Sequence, residues 1–263
     1  MYQKLFAELK GARILGLTAT PYRLVTDGWG GSILKFLTRT RPRIFKDLIY
    51  YVQNRELFEQ GYLTKLEYRR VDGFDTGKLK INSTGADYTD KSVQQYYEKS
   101  NFKERLVETV RKAIRVKKNC LAFTRFIKEA EYVADRVNGC VLVTGKTPKK
   151  EREEIIGGFK SGRIKAICNV GILSAGFDFP ELECIIMARP TMSLALYYQI
   201  IGRGIRPHPG KENTFVIDMC NNFRLFGKVE NLEIVDGGNG KWFISDGRRR
   251  LTNIYYGDRR PRR

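Results

Sequence analysis

The sequence is short of histidine, of paired cysteines, of long apolar runs and of acidic residues. Its one histidine is His208, and its cysteines form no Cys-x-x-Cys pair, so we expect neither a metal site nor a Ser-His-Asp triad. No apolar run approaches the roughly 18 residues of a membrane span, so we expect no membrane partner. The 48 basic residues exceed the 29 acidic ones and leave a net charge of +19, which favours phosphate-bearing partners.

The cysteines indicate the redox environment of the protein. They lie far apart, and four of them fall in or beside apolar, strand-like runs; they are Cys120, Cys140, Cys168, Cys184 and Cys220. This spacing predicts reduced and buried thiols, and with them a cytoplasmic protein. Apolar residues make up 42% of the chain, which is too many for a disordered protein.

From about residue 100 onward, short apolar strands alternate with amphipathic helices. The predicted strands cover residues 120–123, 140–143, 164–168, 184–187 and 215–218. The predicted helices cover residues 102–115 and 127–137, then run from Pro148 to Gly162 and from Ser193 through Gln199. This order predicts an α/β fold, a parallel sheet with helices on both faces. Such sheets bind ligands at the carboxyl ends of their strands, so the polar residues there are the candidate site.

The two ends of the chain read differently. An apolar strand is predicted at residues 13–17, and residues 22–45 read as a surface excursion. Near the C-terminus, the apolar segments 232–235 and 241–244 flank a glycine-rich turn, which predicts a β-hairpin.

The strongest polar cluster is Gln199-Ile200-Ile201-Gly202-Arg203-Gly204-Ile205-Arg206. Arg203 and Arg206 are three residues apart, so on a helical turn they share a face. Two neighbouring guanidinium groups repel each other unless an anion lies between them, and phosphate is the best geometric match. The alternative is a solvated basic helix end, which is common in so basic a protein.

A second cluster, Asn169 to Pro180, directly follows a predicted buried strand. Its small residues, Gly176 among them, allow a ligand to approach the backbone closely. Asp178 could accept a hydrogen bond from a ribose hydroxyl, or it could simply cap a tight turn.

The segment Thr144-Gly145-Lys146-Thr147 looks like the end of a P-loop but does not fit that motif. Five residues separate Gly139 from Gly145, where the P-loop needs four, and Gly139 precedes the predicted strand. No apolar strand ends in Asp-Glu either. The sequence therefore lacks both halves of the usual ATP-Mg²⁺ site.

Taken together, these segments resemble the C-terminal RecA-like lobe of a superfamily 2 DNA helicase, with motifs III to VI in order. The matching segments are Gly16 to Arg23 (III), Phe123-Thr124 (IV), Thr144-Gly145 followed by Arg152, Asn169 to Pro180 (V) and Tyr198 to Pro207 (VI, Q-x-x-G-R-x-x-R). The amino-acid sequence of these segments, together with Gly61-Tyr62-Leu63-Thr64, is most similar to RadD-type, DEAD/DEAH-box-like bacterial or phage helicases. The resemblance implies a P-loop NTPase fold and a fragment that lacks the Walker A/B lobe.

The resemblance also implies a role for each matching residue. Arg203 and Arg206 would be arginine fingers, and Gln199 would orient the phosphate or the attacking water. The remaining residues divide into three groups: nucleotide contacts at Gly176, Asp178 and Gly202; nucleic-acid contacts at Thr124, Arg125, Thr144, Gly145 and Asn169; and coupling residues at Thr18 and Thr20. The cofactor would be ATP with Mg²⁺, bound mainly by the absent first lobe, and the partners would be that lobe and single-stranded or branched DNA, or RNA.

These expectations divide the chain into four parts. Residues 1–25 would be a remnant of the first lobe, 26–100 a connection, 101–225 the C-terminal lobe, and 226–263 a hairpin with a basic tail. The expected function is that of the C-terminal part of an ATP-dependent helicase or translocase, with the fragment alone inactive. Two alternatives stay open: a nucleic-acid-binding module without ATPase activity, and the motor fragment of a restriction enzyme or other translocase.

Overall fold

The computed structural model describes residues 8–9, 11–26, 32–39, 44–83, 87–173, 177–238, 242–252 and 255–256. The strands are β1 (Tyr22–Thr26), β2 (Ser32–Phe36), β3 (Lys65–Arg70), β4 (Cys120–Thr124), β5 (Cys140–Thr144), β6 (Ala166–Val170), β7 (Cys184–Ala188), β8 (Asn213–Asp218), β9 (Glu233–Asp236), β10 (Trp242–Ser245) and β11 (Tyr255–Tyr256). The helices are α1 (Asn54–Glu59), α2 (Asp90–Lys99), α3 (Phe102–Val116), α4 (Ile127–Ala134), α5 (Lys149–Lys160), α6 (Leu194–Ile201) and α7 (Asn222–Phe226). Short 3-10 turns lie at Leu37–Arg39, Thr76–Lys78 and Val229–Asn231.

Six strands form one parallel sheet in the order β3-β8-β7-β4-β6-β5. Successive side chains of the central strand β4 enter different cores: Leu121 and Phe123 pack in one hydrophobic cluster, Cys120 and Ala122 in the other. A strand buried on both faces reads as a continuous apolar run because its alternating side chains both meet protein. The predicted parallel α/β fold is confirmed.

The predicted C-terminal hairpin is confirmed as β9 and β10, which pair antiparallel with Trp242 opposite Asp236. A second antiparallel sheet, β1-β2-β11, joins the start of the described chain to its end. The strand predicted at residues 13–17 is wrong, because residues 12–18 have no regular secondary structure. Leu17 there is 92% exposed, so the apolar pattern has no sheet to pack against.

The segment before residue 101 contributes to the main sheet. β3 lies at its edge beside β8, and α2 packs in the second hydrophobic cluster, beside the carboxyl end of β7. Tyr97 of α2 stacks on Phe102 with ring centroids 3.8 Å apart, and its hydroxyl donates to the carbonyl of Ala188 at 2.9 Å. The parallel sheet and its packing therefore include residues on both sides of position 101.

The five cysteines are buried and free of disulfides, as predicted. The sulfur atoms of Cys140 and Cys168 lie 3.7 Å apart. None of the helices in the described residues combines the length and the apolar composition of a membrane span.

Candidate nucleotide and nucleic-acid site

Helix α6 positions Gln199 and leads into the two arginines. Its first turn is capped by Ser193, whose hydroxyl accepts from the backbone N–H of Leu196 at 3.2 Å. One face of α6 is buried, which leaves Gln199 half-buried on the other face. The carbonyl of Gln199 accepts a hydrogen bond from Nε of Arg203 at 3.3 Å, so the helix end and the first arginine are tied together.

The two arginines converge on Phe177, which lies in the segment after β6. Arg203 Nη1 and Arg206 Nη2 donate to the same carbonyl oxygen, that of Phe177, at 2.9 and 2.8 Å. Arg206 also forms an ion pair with Asp178. We call these four residues the arginine cluster. Burial lowers the pKa of Arg203 and of Arg206, but a guanidinium in a protein stays protonated at neutral pH.

A second layer of hydrogen bonds holds the backbone between the arginines. The carbonyl of Gly204 accepts from Lys211 Nζ at 2.9 Å and from Thr214 Oγ1 at 2.7 Å. The same two donors bind the carbonyl of Leu182, so one pair of side chains joins both backbones. Lys211 is only 8% exposed. Burial, reinforced by the charge of Arg206, lowers the pKa of Lys211 to about 8.

Thr64 adds a third support from outside the motif. Its hydroxyl donates to the carbonyl of Arg206 at 2.9 Å, and its backbone N–H donates to the carbonyl of Ile205 at 2.7 Å. The helicase motifs III to VI include none of Lys211, Thr214 and Thr64. Thr64 does lie in the Gly61 to Thr64 stretch whose wording carried the family resemblance, which is the one sequence signal for it.

Three predicted nucleic-acid residues lie together at the carboxyl edge of the sheet, at or near the ends of β4, β5 and β6. Thr124 Oγ1 donates to the carbonyl of Asn169 at 3.3 Å, and Asn169 Nδ2 donates to the carbonyl of Ala122 at 2.9 Å. Thr124, Thr144 and Asn169 are 1%, 8% and 0% exposed, so their side chains are turned inward. Beyond the strand ends, Gly145, Lys146 and Gly171 are exposed.

The loop after β5 is a closed turn. The backbone N–H of Thr144 donates to Thr147 Oγ1 at 2.9 Å, and that of Lys146 donates to Thr144 Oγ1 at 3.1 Å. Gly145 and Lys146 are exposed at its tip. The two threonines therefore shape a turn that presents a glycine backbone and a lysine ammonium to solvent.

Comparison with known proteins identifies the family of the region that carries these residues. Residues 101–208 match the helicase conserved C-terminal domain. The chain is 31% identical over 235 residues to a 51.5 kDa protein of Lactococcus phage (isolate 7-9), which covers 86% of this chain and 47% of that protein. IRC3 of Saccharomyces cerevisiae, a provisionally assigned ATP-dependent helicase, is 43% identical over 76 residues, which are 29% of this chain and 11% of that protein.

A solved fragment gives the fold match. It is assigned as an HsdR subunit of a type I restriction enzyme from Vibrio vulnificus YJ016, with a TM-score of 0.63 and 18% identity over 86% of this chain and 43% of that one. The chain contains the C-terminal lobe of a superfamily 2 helicase. It spans less than half the length of these curated relatives. The narrower resemblance of the helicase lobe to RadD-type enzymes stays a prediction.

Arg125 directly follows Thr124, but its side chain is bound within the protein. Its side chain is 9% exposed and binds Asp87 and Asp90, with N–O distances of 3.2 and 2.8 Å. It also donates to the carbonyls of Tyr88 at 2.6 Å and Pro190 at 3.3 Å. These contacts occupy the guanidinium within the protein and join the start of α2 to the segment after β7.

The remaining predicted residues fall in three places. Thr18 lines a cavity of about 170 Å³, which Tyr198, the neighbour of Gln199, also lines. The hydroxyl of Thr18 accepts a hydrogen bond from the backbone N–H of Thr20 at 3.0 Å. Gly202 ends α6, where a Cβ would lie 3.0 Å from the carbonyl of Tyr198. Gly176 lies outside the described residues.

Gly204 has no room for a side chain. A Cβ there would lie 2.6 Å from Thr214 Cγ2 and 2.9 Å from Ile185 Cδ1. We expect Gly204→Ala to lower the free energy of unfolding by about 1–3 kcal/mol, because overpacking displaces the segment that carries Arg203 and Arg206 from the sheet. Urea unfolding measures this loss. Gly157→Ala is the matched control: Gly157 is an exposed residue of α5 with open space around its Cβ, so that variant should be as stable as the wild type or more so. Equal stability of the two variants would contradict the tight packing.

Proposed function

We propose that this helicase lobe is the C-terminal motor half of an ATP-dependent DNA helicase or translocase. In this proposal, Arg203 and Arg206 act on ATP that is bound, with Mg²⁺, mainly by a preceding P-loop lobe. The observation that carries the proposal is the convergence of both guanidinium groups on one carbonyl oxygen beside Asp178. A binding module without ATP chemistry would have no need of this arrangement.

The acceptors that hold the arginines are ones that a phosphate can replace. Phe177 offers a neutral carbonyl, and the carboxylate of Asp178 is 75% exposed. A terminal phosphate presents several oxygens with a larger total charge, and a planar guanidinium matches two of them at once. The arginines would then stabilise the charge that develops as the terminal phosphoryl group is transferred. Asp178, once released, would be free to accept from the ribose hydroxyl.

Other parts of the lobe would support this step. Gln199 lies in the last turn of α6, four residues before Arg203, and its amide would orient the phosphate or the attacking water. The preceding lobe and this one would close on ATP. Thr18 and Thr20 would couple this closure to the binding of nucleic acid through the cavity that Thr18 shares with Tyr198. Because the sequence has neither a P-loop nor an Asp-Glu strand end, we propose that the chain by itself does not hydrolyse ATP.

The nucleic-acid half of the proposal rests on the carboxyl edge of the sheet. The closed turn after β5 presents Gly145 and Lys146, and the buried side chains of Thr124 and Asn169 fix the neighbouring strand ends. Backbone N–H groups and ammonium groups contact phosphates and read no base sequence. We call these contacts the nucleic-acid track, and it would accordingly bind a single strand of any sequence.

The first test is the binding of a short oligothymidylate by this chain. Affinity should fall steeply and linearly on a logarithmic scale between about 50 mM and 200 mM salt, because bound cations release counterions from the strand. An oligonucleotide of mixed sequence should bind about equally well. Fluorescence anisotropy measures both. An affinity that ignores salt, or that differs strongly between the two sequences, would contradict a phosphate-tracking mode.

A further inference from the structure

A second cavity lies at the carboxyl edge of the parallel sheet, and none of its lining residues belongs to the arginine cluster. Its volume is about 200 Å³, and we call it the edge cavity. Thr76 lines it from the segment after β3, Thr191 from the segment after β7, and Asn221 and Arg224 from the segment after β8. Because all six strands are parallel, these residues share the carboxyl edge with the proposed nucleic-acid track.

Two arginines line the edge cavity: Arg249 forms an ion pair with Asp246, and Arg224 carries a charge that no described carboxylate offsets. Arg249 is held in place, with Nε 3.0 Å from Asp246 and Nη2 3.0 Å from the carbonyl of Leu225. Arg224 is exposed and forms no ion pair with any residue that the structure describes. None of the described residues that line the cavity is acidic. A pre-positioned guanidinium beside a second, unengaged one is suited to phosphate.

Asn221 adds a polar group without a partner. Its backbone is left-handed, with φ at 62°, and this turn places the residue at the wall of the cavity directly before α7. Its Oδ1 is buried and accepts no hydrogen bond from the described part of the chain. A buried acceptor of this kind is costly to leave unpaired, so a ligand that carries an N–H or O–H donor would gain a hydrogen bond by drawing the amide into the cavity.

Resting on the proposed function, we propose that the edge cavity binds one nucleotide unit of the same nucleic-acid strand, with its phosphate between Arg224 and Arg249. Asn221 would accept from the base or sugar of that unit. Neighbouring parallel strands lie about 4.8 Å apart, so β8 is roughly 10 Å from β4 across the sheet. A span of a few nucleotides covers that separation, and the track would then run from β5 across the edge to the C-terminal hairpin.

Two variants separate the charged contact from the neutral one. Arg224→Ala should weaken binding of the oligothymidylate and reduce the slope of log affinity against log salt by about 0.7, the value for one single-strand phosphate contact. Asn221→Gly keeps the left-handed backbone accessible and removes the amide, so it should weaken binding severalfold and leave the slope unchanged. Melting curves verify that both variants are folded.

Arg163→Ala is the matched control for charge. Arg163 is exposed and lies in the turn before β6, at the opposite, amino edge of the sheet, so its loss should leave the slope unchanged. An Arg224→Ala slope equal to that of the control would overturn the edge cavity while the proposed function stands. No binding of the strand by the wild type would overturn both.

A titration with thymidine monophosphate distinguishes a free nucleotide from a strand. The proposal expects the monophosphate to bind far more weakly than the oligothymidylate, because most of the affinity of the strand comes from its other phosphates. Equal affinity for the two ligands would assign the cavity to a free nucleotide and overturn the strand proposal.

Discussion

Arg206→Ala should slow ATP hydrolysis by about 10³-fold in a motor that joins this lobe to a P-loop lobe, because an arginine finger acts where charge develops in the transition state. Arg203→Ala should have an effect of the same order. Binding of ATP in the ground state and binding of single-stranded DNA should change little. Steady-state ATPase assays under saturating DNA measure the turnover number directly.

The fold should survive the loss of either arginine. Arg206 is 30% exposed and its partner Asp178 is 75% exposed, so the ion pair contributes at most about 1 kcal/mol to stability. Melting curves recorded beside the kinetics would detect a larger loss. A slow but fully folded variant is the result that distinguishes a catalytic arginine from a structural one.

A lysine at position 206 tests the geometry of the group rather than its charge. An ammonium carries the same charge but cannot present the planar fork that spans two oxygens, so Arg206→Lys should restore little of the rate. Arg163→Ala serves again as the control, since it removes an equal charge from the other edge of the sheet and should hydrolyse ATP at the wild-type rate. Unchanged turnover in both Arg206 variants would contradict the finger assignment, and the arginines would then serve only to hold the segment at Phe177 and Asp178.

Much of the fold follows from one regularity of the sequence. Strands buried on both faces, such as β4 and β7, read as apolar runs between amphipathic helices, and this pattern predicts the parallel sheet. The same pattern failed at residues 13–17, because an apolar run forms a strand only where neighbouring strands offer hydrogen-bond partners. The pairing of β3 with β8 joins residues about 150 positions apart, and no local pattern encodes it.

The site could be predicted as a set of residues but not as a set of contacts. Motif spacing places Gln199, Arg203 and Arg206 on or just after a helix, and the structure has Gln199 in the last turn of α6 and both arginines in the segment that follows it. The group on which both arginines converge is a backbone carbonyl, and a carbonyl leaves no mark in the identity of Phe177. For the same reason Lys211, which binds two further carbonyls, reads in the sequence as an ordinary surface lysine.

Arg125 is the residue on which sequence and structure differ most. The family resemblance predicts a contact to nucleic acid, whereas the structure surrounds the guanidinium with two carboxylates and two carbonyls. If the contacts within the protein define its role, Arg125→Ala should lower the free energy of unfolding by about 3 kcal/mol. This is the low end of the range for breaking a buried pair, because Asp90 stays largely exposed to water. Urea unfolding measures the loss, with an unchanged slope against denaturant as the sign of an unchanged fold.

The control for Arg125 is an arginine in an ion pair at the surface. Arg70 binds Asp72 at 3.0 Å with both side chains more than half exposed, so Arg70→Ala should cost at most about 1 kcal/mol. Binding of the oligothymidylate, measured well below the melting temperature, then separates the two roles of Arg125. A folded but destabilised Arg125→Ala protein should bind the strand within about twofold of the wild type, since a buried guanidinium makes none of the phosphate contacts that govern affinity. Wild-type stability together with a loss of binding of about tenfold would instead place Arg125 on the strand, as the motif predicts.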